Sequence, residues 1–323
     1  MQLLPAGFDD KPYRQTGCTV FSVVEGQGII SIEHCGKTVV YQFNPRDHFV
    51  VPSWHTVRLH SQMGGCTVQS FKPSSASDVG NTQRRKNDMT TSPSYVFTPP
   101  PIVSVPVVGS AGRFAVHRVY CVGRNYEEHA KEMGFTGREP PFFFLKPADA
   151  IVAVEAGTVG TLPYPSLTKN FHHEIELVVA IGVGGKNIQA ADVHKHIYGY
   201  AVGLDMTRRD LQGEMKKAGR PWCIGKGFDH SAPIGPITPV AFAGDVNNAE
   251  LYVQVGGVER QRSNVAKLIW NVAETIEHLS VAWELMPGDL IYTGTPEGVA
   301  AVVAGDTLVG NVAGLTELHV KVV

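Results

Sequence analysis

Residues 170–183 read NFHHEIELVVAIGV, and the order of acids and aliphatics in that run decides how the surrounding chain is read. In an extended strand, residues i and i+2 point to the same side. Glu174 and Glu176 therefore present two carboxylates to one face, while Ile175 and Leu177 pack on the other. Neighbouring carboxylates repel each other unless something positive lies between them, and a divalent cation meets that need. A solvated face of an edge strand is the alternative that the pair alone leaves open. A third acid, Asp205, ends the apolar run IYGYAVGLDM at 197–206, where a functional loop emerges from a strand. Three oxygen ligands, with the remaining positions left to water or substrate, suit Mg2+ or Mn2+. The competing role for Asp205 is to cap the helix that follows.

Working outward, FFFLKP, ELVVAIGV, IYGYAVGLDM, LYVQVGG, DLIYTGT and LHVKVV read as strands. Asn125–Met133, Ala190–His196, Arg209–Ala218 and Val272–Trp283 read as helices, the last with Val272, Ile276, Leu279 and Trp283 on one face. The class this predicts is α+β, mainly β, a mixed β-roll and not a doubly wound sheet. Ahead of it, CTVFSVVEGQGIISI, KTVVYQF, HFVVPSWHTVRLH and CTVQSF alternate apolar and polar residues between turn formers, the pattern of short antiparallel strands. Between them lies a polar stretch rich in Ser, Thr and Pro. The chain is thus expected to divide into a β segment at 1–73, a linker at 74–92 and a larger domain at 93–323. Met89 sits inside the linker, where an ancestral start would place the larger domain alone.

The 323 residues suffice for about two domains of roughly 150 residues each. Lys and Arg total 28 against 30 Asp and Glu, a balance that speaks against nucleic acid or an anionic membrane as partner. Apolar runs such as Leu177–Val183 fall far short of the ~20 residues of a membrane helix, and the N-terminus lacks a signal pattern, so a cytoplasmic location is expected. The five cysteines are scattered without a CxxC, and read as reduced packing residues.

Six stretches in order, CVGRNYEEHAKEMG, FFFLKP, HHEIELVV, GYAVGLDMTRRDLQ, PWCIGKGFD and PGDLIYTGTPEGV, resemble the fumarylacetoacetate hydrolase family along nearly all of Ser92–Val323. The opening YVFTPPPIVSVPVVGS is similar to the start of short bacterial members that act on acylpyruvates such as fumarylpyruvate. The front segment, Pro5–Phe71, resembles the C-terminal end of gentisate 1,2-dioxygenase, a cupin. His55 and Glu25 of a cupin metal set remain, but Lys11, Pro12, Tyr13 and Arg14 stand where a histidine pair belongs, so the segment reads as a truncated, catalytically dead remnant. That dioxygenase makes the ring-fission product that isomerises to fumarylpyruvate, so both resemblances point to one pathway, gentisate degradation.

The resemblance implies hydrolysis of a carbon–carbon bond in a 2,4-dioxo acid, with fumarylpyruvate giving fumarate and pyruvate as the best fit. Such a bond breaks only if the departing carbanion is stabilised, which chelation of the 1-carboxylate and 2-oxo group by a divalent ion supplies. Glu174, Glu176 and Asp205 match the family's ligands, with Mg2+ or Mn2+ as the implied cofactor. His129 and Glu132, three apart, match its water-activating dyad on a lid helix; without the resemblance they would read as a surface pair. Lys226 and Gln212 match donors for the oxyanion and water. Arg209 is the candidate for the distal carboxylate, with Arg208 able to turn inward in its place. Thr293, Gly294 and Thr295 match a loop that contacts the substrate carboxylate, and Arg124 and Asn125 are further contacts. His172 and His173 face opposite ways beside Glu174, and one of them reaching the metal is a minor alternative.

Two other functions stay open at this stage. The same site can isomerise or decarboxylate a 2-oxo dicarboxylate, of the hydroxyheptadienedioate or oxaloacetate type, although a water-activating dyad favours hydrolysis. The chain can instead be a non-catalytic metal-binding scaffold, against which the intact motifs argue. The partner expected is a small-molecule acylpyruvate, with neither nucleic acid nor membrane, and the resemblance implies a homodimer.

Overall fold

The structure, a computed structural model, describes residues 2–5, 7–9, 11, 13–14, 19–34, 37–51, 56–71, 95–128 and 138–323. The chain divides into two compact units, Met1–Ser94 and Tyr95–Val323. Among the described residues, no helix is long and apolar enough to cross a membrane.

In the first unit the alternating runs form one antiparallel sheet in the order Gln2–Leu4, Thr56–Phe71, Thr19–His34 and Lys37–Phe43. Tyr13–Arg14 pairs with Thr56–Phe71, and His48–Val51 with Thr19–His34. The VEGQG stretch, which could have been a turn, stays in the ladder as part of a single strand, and register shifts at Val23/Glu25 and Gly26/Gly28 absorb its irregularity. Phe21, Val23, Ile30, Phe43, Val51, Val57 and Leu59 bury themselves in a small core of their own. Of the cupin-type candidates, His55 lies outside the described residues.

The second unit is α+β, mainly β, as the patterning predicts. Its eight-stranded mixed sheet runs Phe142–Lys146, Val119–Gly123, Leu290–Tyr292, Ile175–Ile181, Ile197–Leu204, Ala232–Ile234 and Ile151–Ala153, with Thr238–Pro239 added to Ile197–Leu204. Ile175–Ile181 lies between two neighbours and is buried at every position, which is why its apolar residues run nearly unbroken instead of alternating with polar ones. Ile175, Leu177, Val179 and Ile181 enter one core cluster, Val178 and Ala180 another. A five-stranded sheet, Gly160–Leu162, Leu318–Val322, Thr307–Val312, Glu250–Val255 and Val258–Asn264, contributes to the first of these clusters through Leu251, Val253, Leu308, Val312, Leu318 and Val320.

Three element expectations need correction. Ala190–His196 is a short 3-10 helix, Ala190–Lys195, in which Val193 alone is buried. The DLIYTGT strand is confined to Leu290–Tyr292, since the backbone turns away at Gly294, whose φ of +103° a side-chain-bearing residue rarely adopts. Asn125–Met133 is not helical at Asn125 and Tyr126, the latter bridging to Leu268; Glu127 and Glu128 are helical, and the residues from 129 onward fall outside the described ones. By contrast Arg209–Ala218 is an α-helix closed by left-handed Gly219, and Val272–Ala282 is one opened by a capping box between Asn271 and Glu274.

Gly203 shows how tightly the site-bearing strands are packed. A Cβ there would lie 2.5 Å from Val178 Cγ2 and 2.6 Å from Tyr292 Cε1. Gly203→Ala is expected to destabilise the protein by about 1–3 kcal/mol, the usual cost of overpacking, measured as a lower midpoint in thermal denaturation. A wild-type midpoint would show that Tyr292 can yield.

Candidate active site

The ladder itself assembles the acids. Ile175 pairs with Leu204 and Glu176 with Gly203, and one step further the Asp205 N–H donates to the Glu174 carbonyl at 2.9 Å. Glu174 thus stands opposite Asp205, and opposed residues of an antiparallel pair share a face. Glu176 joins that face by the two-residue period. The three carboxylates are buried and offer ligand oxygens that all lie within 4.8 Å of one another. Asp205 is not a helix cap, for the helix begins at Arg209 with Arg208 in the N-cap position.

Cations surround this cluster. Lys226, only 2% exposed, donates to Glu174 Oε2 at 2.8 Å and to Asp205 Oδ2 at 2.6 Å. Burial works against its charge, but the carboxylates of Asp205 and Glu174 outweigh burial, and Lys226 holds its proton more tightly than an ordinary lysine. Arg209 bonds Glu174 Oε1 through Nη2 and donates from Nη1 to Gln212 Oε1 at 2.6 Å. The sequence reading missed Lys146, whose Nζ lies 2.8 Å from Asp205 Oδ1 and also donates to the carbonyls of Met206 and Lys226. A signal was available: Phe144, which lines the cavity, shares a strand face with Lys146 two residues on.

Glu176 accepts from the Gly294 N–H at 2.7 Å. Burial, with Asp205 and then Glu174 beside it, pushes its carboxyl well up from the usual range. That crowding of three buried carboxylates, with ligand oxygens all within 4.8 Å of one another, fits the cluster to a cation. Oxygen-only donors of this charge suit a hard divalent ion such as Mg2+ or Mn2+.

Glu174, Glu176, Asp205, Arg209, Gln212, Lys226, Thr295 and Arg124 all line one cavity, together with Phe144 and Trp222. Arg124, at φ +56°, lays its guanidinium 4.6 Å over the Phe142 ring. Arg208 instead lies over Phe228, at 4.3 Å, and is not among the cavity residues. Asn125 and Thr293 stand behind the cavity. The Asn125 amide donates to the carbonyls of Trp270 and Thr293 and accepts from the Trp270 N–H, and the Thr293 hydroxyl donates to the Leu177 carbonyl. Both side chains therefore hold backbone groups in place. His129 and Glu132 lie outside the described residues.

Neither histidine beside Glu174 belongs to the acidic cluster. Burial, then Arg209, pushes His172 down to about 4, so it is neutral at pH 7 and can accept the long 3.4 Å bond from Arg209 Nε while Nε2 pairs with Asn170. His173 turns to Gln261. Cys121 is a buried free thiol, as a packing residue should be, whereas Cys223 is exposed.

The family model for the C-terminal domain of fumarylacetoacetate hydrolase matches residues 118–323, and the chain belongs to that family. Among its relatives, fumarylpyruvate hydrolase of Ralstonia sp is 47% identical over 184 residues, 57% of this chain and 93% of the relative. Oxaloacetate tautomerase YcgM of Escherichia coli (strain K12) is 41% identical over 196 residues, 60% of this chain and 88% of the relative. The crystal structure of fumarylpyruvate hydrolase from Pseudomonas aeruginosa in complex with Mn2+ and pyruvate is 57% identical and superposes with a TM-score of 0.70, covering 71% of this chain and 99% of that one.

Proposed function

We propose that this chain is a divalent-cation-dependent hydrolase that cleaves the C3–C4 bond of a 2,4-dioxo acid, converting fumarylpyruvate and water into fumarate and pyruvate. The observation that carries this is the buried triad of Glu174, Glu176 and Asp205 facing a cavity in a chain 57% identical to a fumarylpyruvate hydrolase crystallised with Mn2+ and pyruvate. The triad would hold Mg2+ or Mn2+, which when bound supplies Lewis-acid stabilisation of charge on the 2-oxo group.

The protein's own groups do the rest. His129, oriented by Glu132, takes a proton from the water that attacks C4. Lys226 and Gln212 donate toward the oxygen that becomes negative there. As C3 leaves with the bond's electrons it takes up a proton and becomes the methyl of pyruvate, while C4 becomes a carboxylate of fumarate. Arg209 and Arg124 supply guanidinium groups for the distal carboxylate, and Thr295, with Thr293 and Gly294 of the same loop, meets the pyruvyl one. The proposal includes a cytoplasmic homodimer serving gentisate degradation, with the 1–73 segment a cupin remnant joined by the 74–92 linker.

The test is loss of the fumarylpyruvate chromophore with Mn2+ or Mg2+ added and with EDTA, while both products are assayed, on the full chain and on one begun at Met89. Equimolar fumarate and pyruvate, abolished by EDTA and retained from Met89 onward, is the expected result. The likeness to an oxaloacetate tautomerase favours one second reading, isomerase or decarboxylase action on a 2-oxo dicarboxylate. Untouched fumarylpyruvate together with turnover of oxaloacetate would replace the first reading by the second.

A further inference from the structure

Strand Val258–Asn264 reads VERQRSN, an edge strand whose first three residues are exposed, yet Gln261 within it is only 1% exposed. A buried amide must satisfy two donors and two acceptor positions or cost stability. Gln261 satisfies all four. Its Nε2 donates to Thr295 Oγ1 at 2.9 Å and to the Pro296 carbonyl at 2.8 Å, and its Oε1 accepts from the Ile175 N–H at 3.1 Å and pairs with His173 Nδ1 at 2.9 Å.

The orientation is forced by the backbone. The Pro296 carbonyl can only accept and the Ile175 N–H can only donate, so nitrogen must face the loop and oxygen the strand. His173 therefore carries its proton on Nδ1 and donates it, which leaves Nε2 as a buried lone pair without a partner among the described residues. Burial keeps that imidazole neutral.

The groups that Gln261 grips flank the site on two sides. His173 and Ile175 are the chain neighbours of Glu174, and Thr295 lines the cavity one residue after Gly294, which holds Glu176. We propose that Gln261 is a positioning residue that locks the carboxylate strand to the 293–296 loop, so that cation affinity and substrate affinity depend on one amide. The inference rests on the reading of the triad as a cation site.

The test uses the full chain, with Mn2+ binding followed by calorimetry and KM measured with fumarylpyruvate. Outer contacts of this kind typically change metal affinity about 10–100-fold. Gln261→Leu, which removes all four bonds, is expected to weaken Mn2+ about 10-fold or more and to raise KM while the protein stays folded by circular dichroism. Gln261→Glu keeps both acceptor bonds to the strand and loses the donors to the loop. It is expected to show a raised KM. A folded Leu variant with wild-type Mn2+ affinity and KM overturns the proposal, and should that variant fail to fold, a wild-type KM in the Glu variant overturns it alone. Absence of Mn2+ binding by the wild-type protein would instead sink the reading of the triad.

Discussion

Replacing Glu176 by Gln is expected to remove turnover without removing the fold. The substitution keeps an oxygen for the Gly294 N–H, the bond that holds this side chain in place at 2.7 Å. It takes one negative charge out of a buried cluster in which burial and two further carboxylates already push the carboxyl toward its neutral form. The cation-free protein should therefore melt at or above the wild-type temperature. Activity should fall at least about 1000-fold, the equivalent of several kcal/mol of lost charge stabilisation. The decisive readout is the shift in melting temperature on adding Mn2+. A ligand at about 100 times its Kd stabilises a folded protein by about 2.7 kcal/mol, and the variant should lose most of that gain. An undiminished Mn2+ shift in Glu176→Gln would mean that the cation binds elsewhere.

Why the acids were legible in the sequence and their surroundings were not follows from the range of the interactions. The two-residue period of a strand puts Glu174 and Glu176 on one face from local geometry alone, and an acid at a strand end marked Asp205. What brings Asp205 opposite Glu174 is a register between strands some thirty residues apart, which the alternation of apolar residues on a doubly covered strand does not specify. Lys226 was found through its motif, but its position between two carboxylates is tertiary. Gln261 was invisible, because its strand is patterned as an exposed edge and the four groups it serves lie 34 to 88 residues away. That Asn125 and Thr293 also hold backbone groups was not legible, since a buried amide or hydroxyl that stabilises backbone has the same sequence signature as one that meets a ligand.

Loss of Lys226 should separate two roles that its geometry combines. Its buried ammonium bridges Glu174 and Asp205. Lys226→Met would leave Glu174 Oε2 and Asp205 Oδ2 without the donor that now serves them, and removing one partner of a buried ionic cluster typically costs about 3–5 kcal/mol. The cation-free variant should melt well below wild type. Mn2+ should then stabilise the variant more than it stabilises wild type, because the ion no longer competes with an ammonium for the same oxygens. Stability regained with Mn2+ must not bring activity with it: kcat should stay about 100–1000-fold low, the usual cost of a missing oxyanion donor. Lys226→Arg should not restore it, since a planar guanidinium cannot occupy a space shaped for one tetrahedral ammonium. Near-normal kcat in Mn2+-saturated Lys226→Met would reduce the lysine to a charge that holds Glu174 and Asp205 together, and the donor at C4 would have to be sought in Gln212.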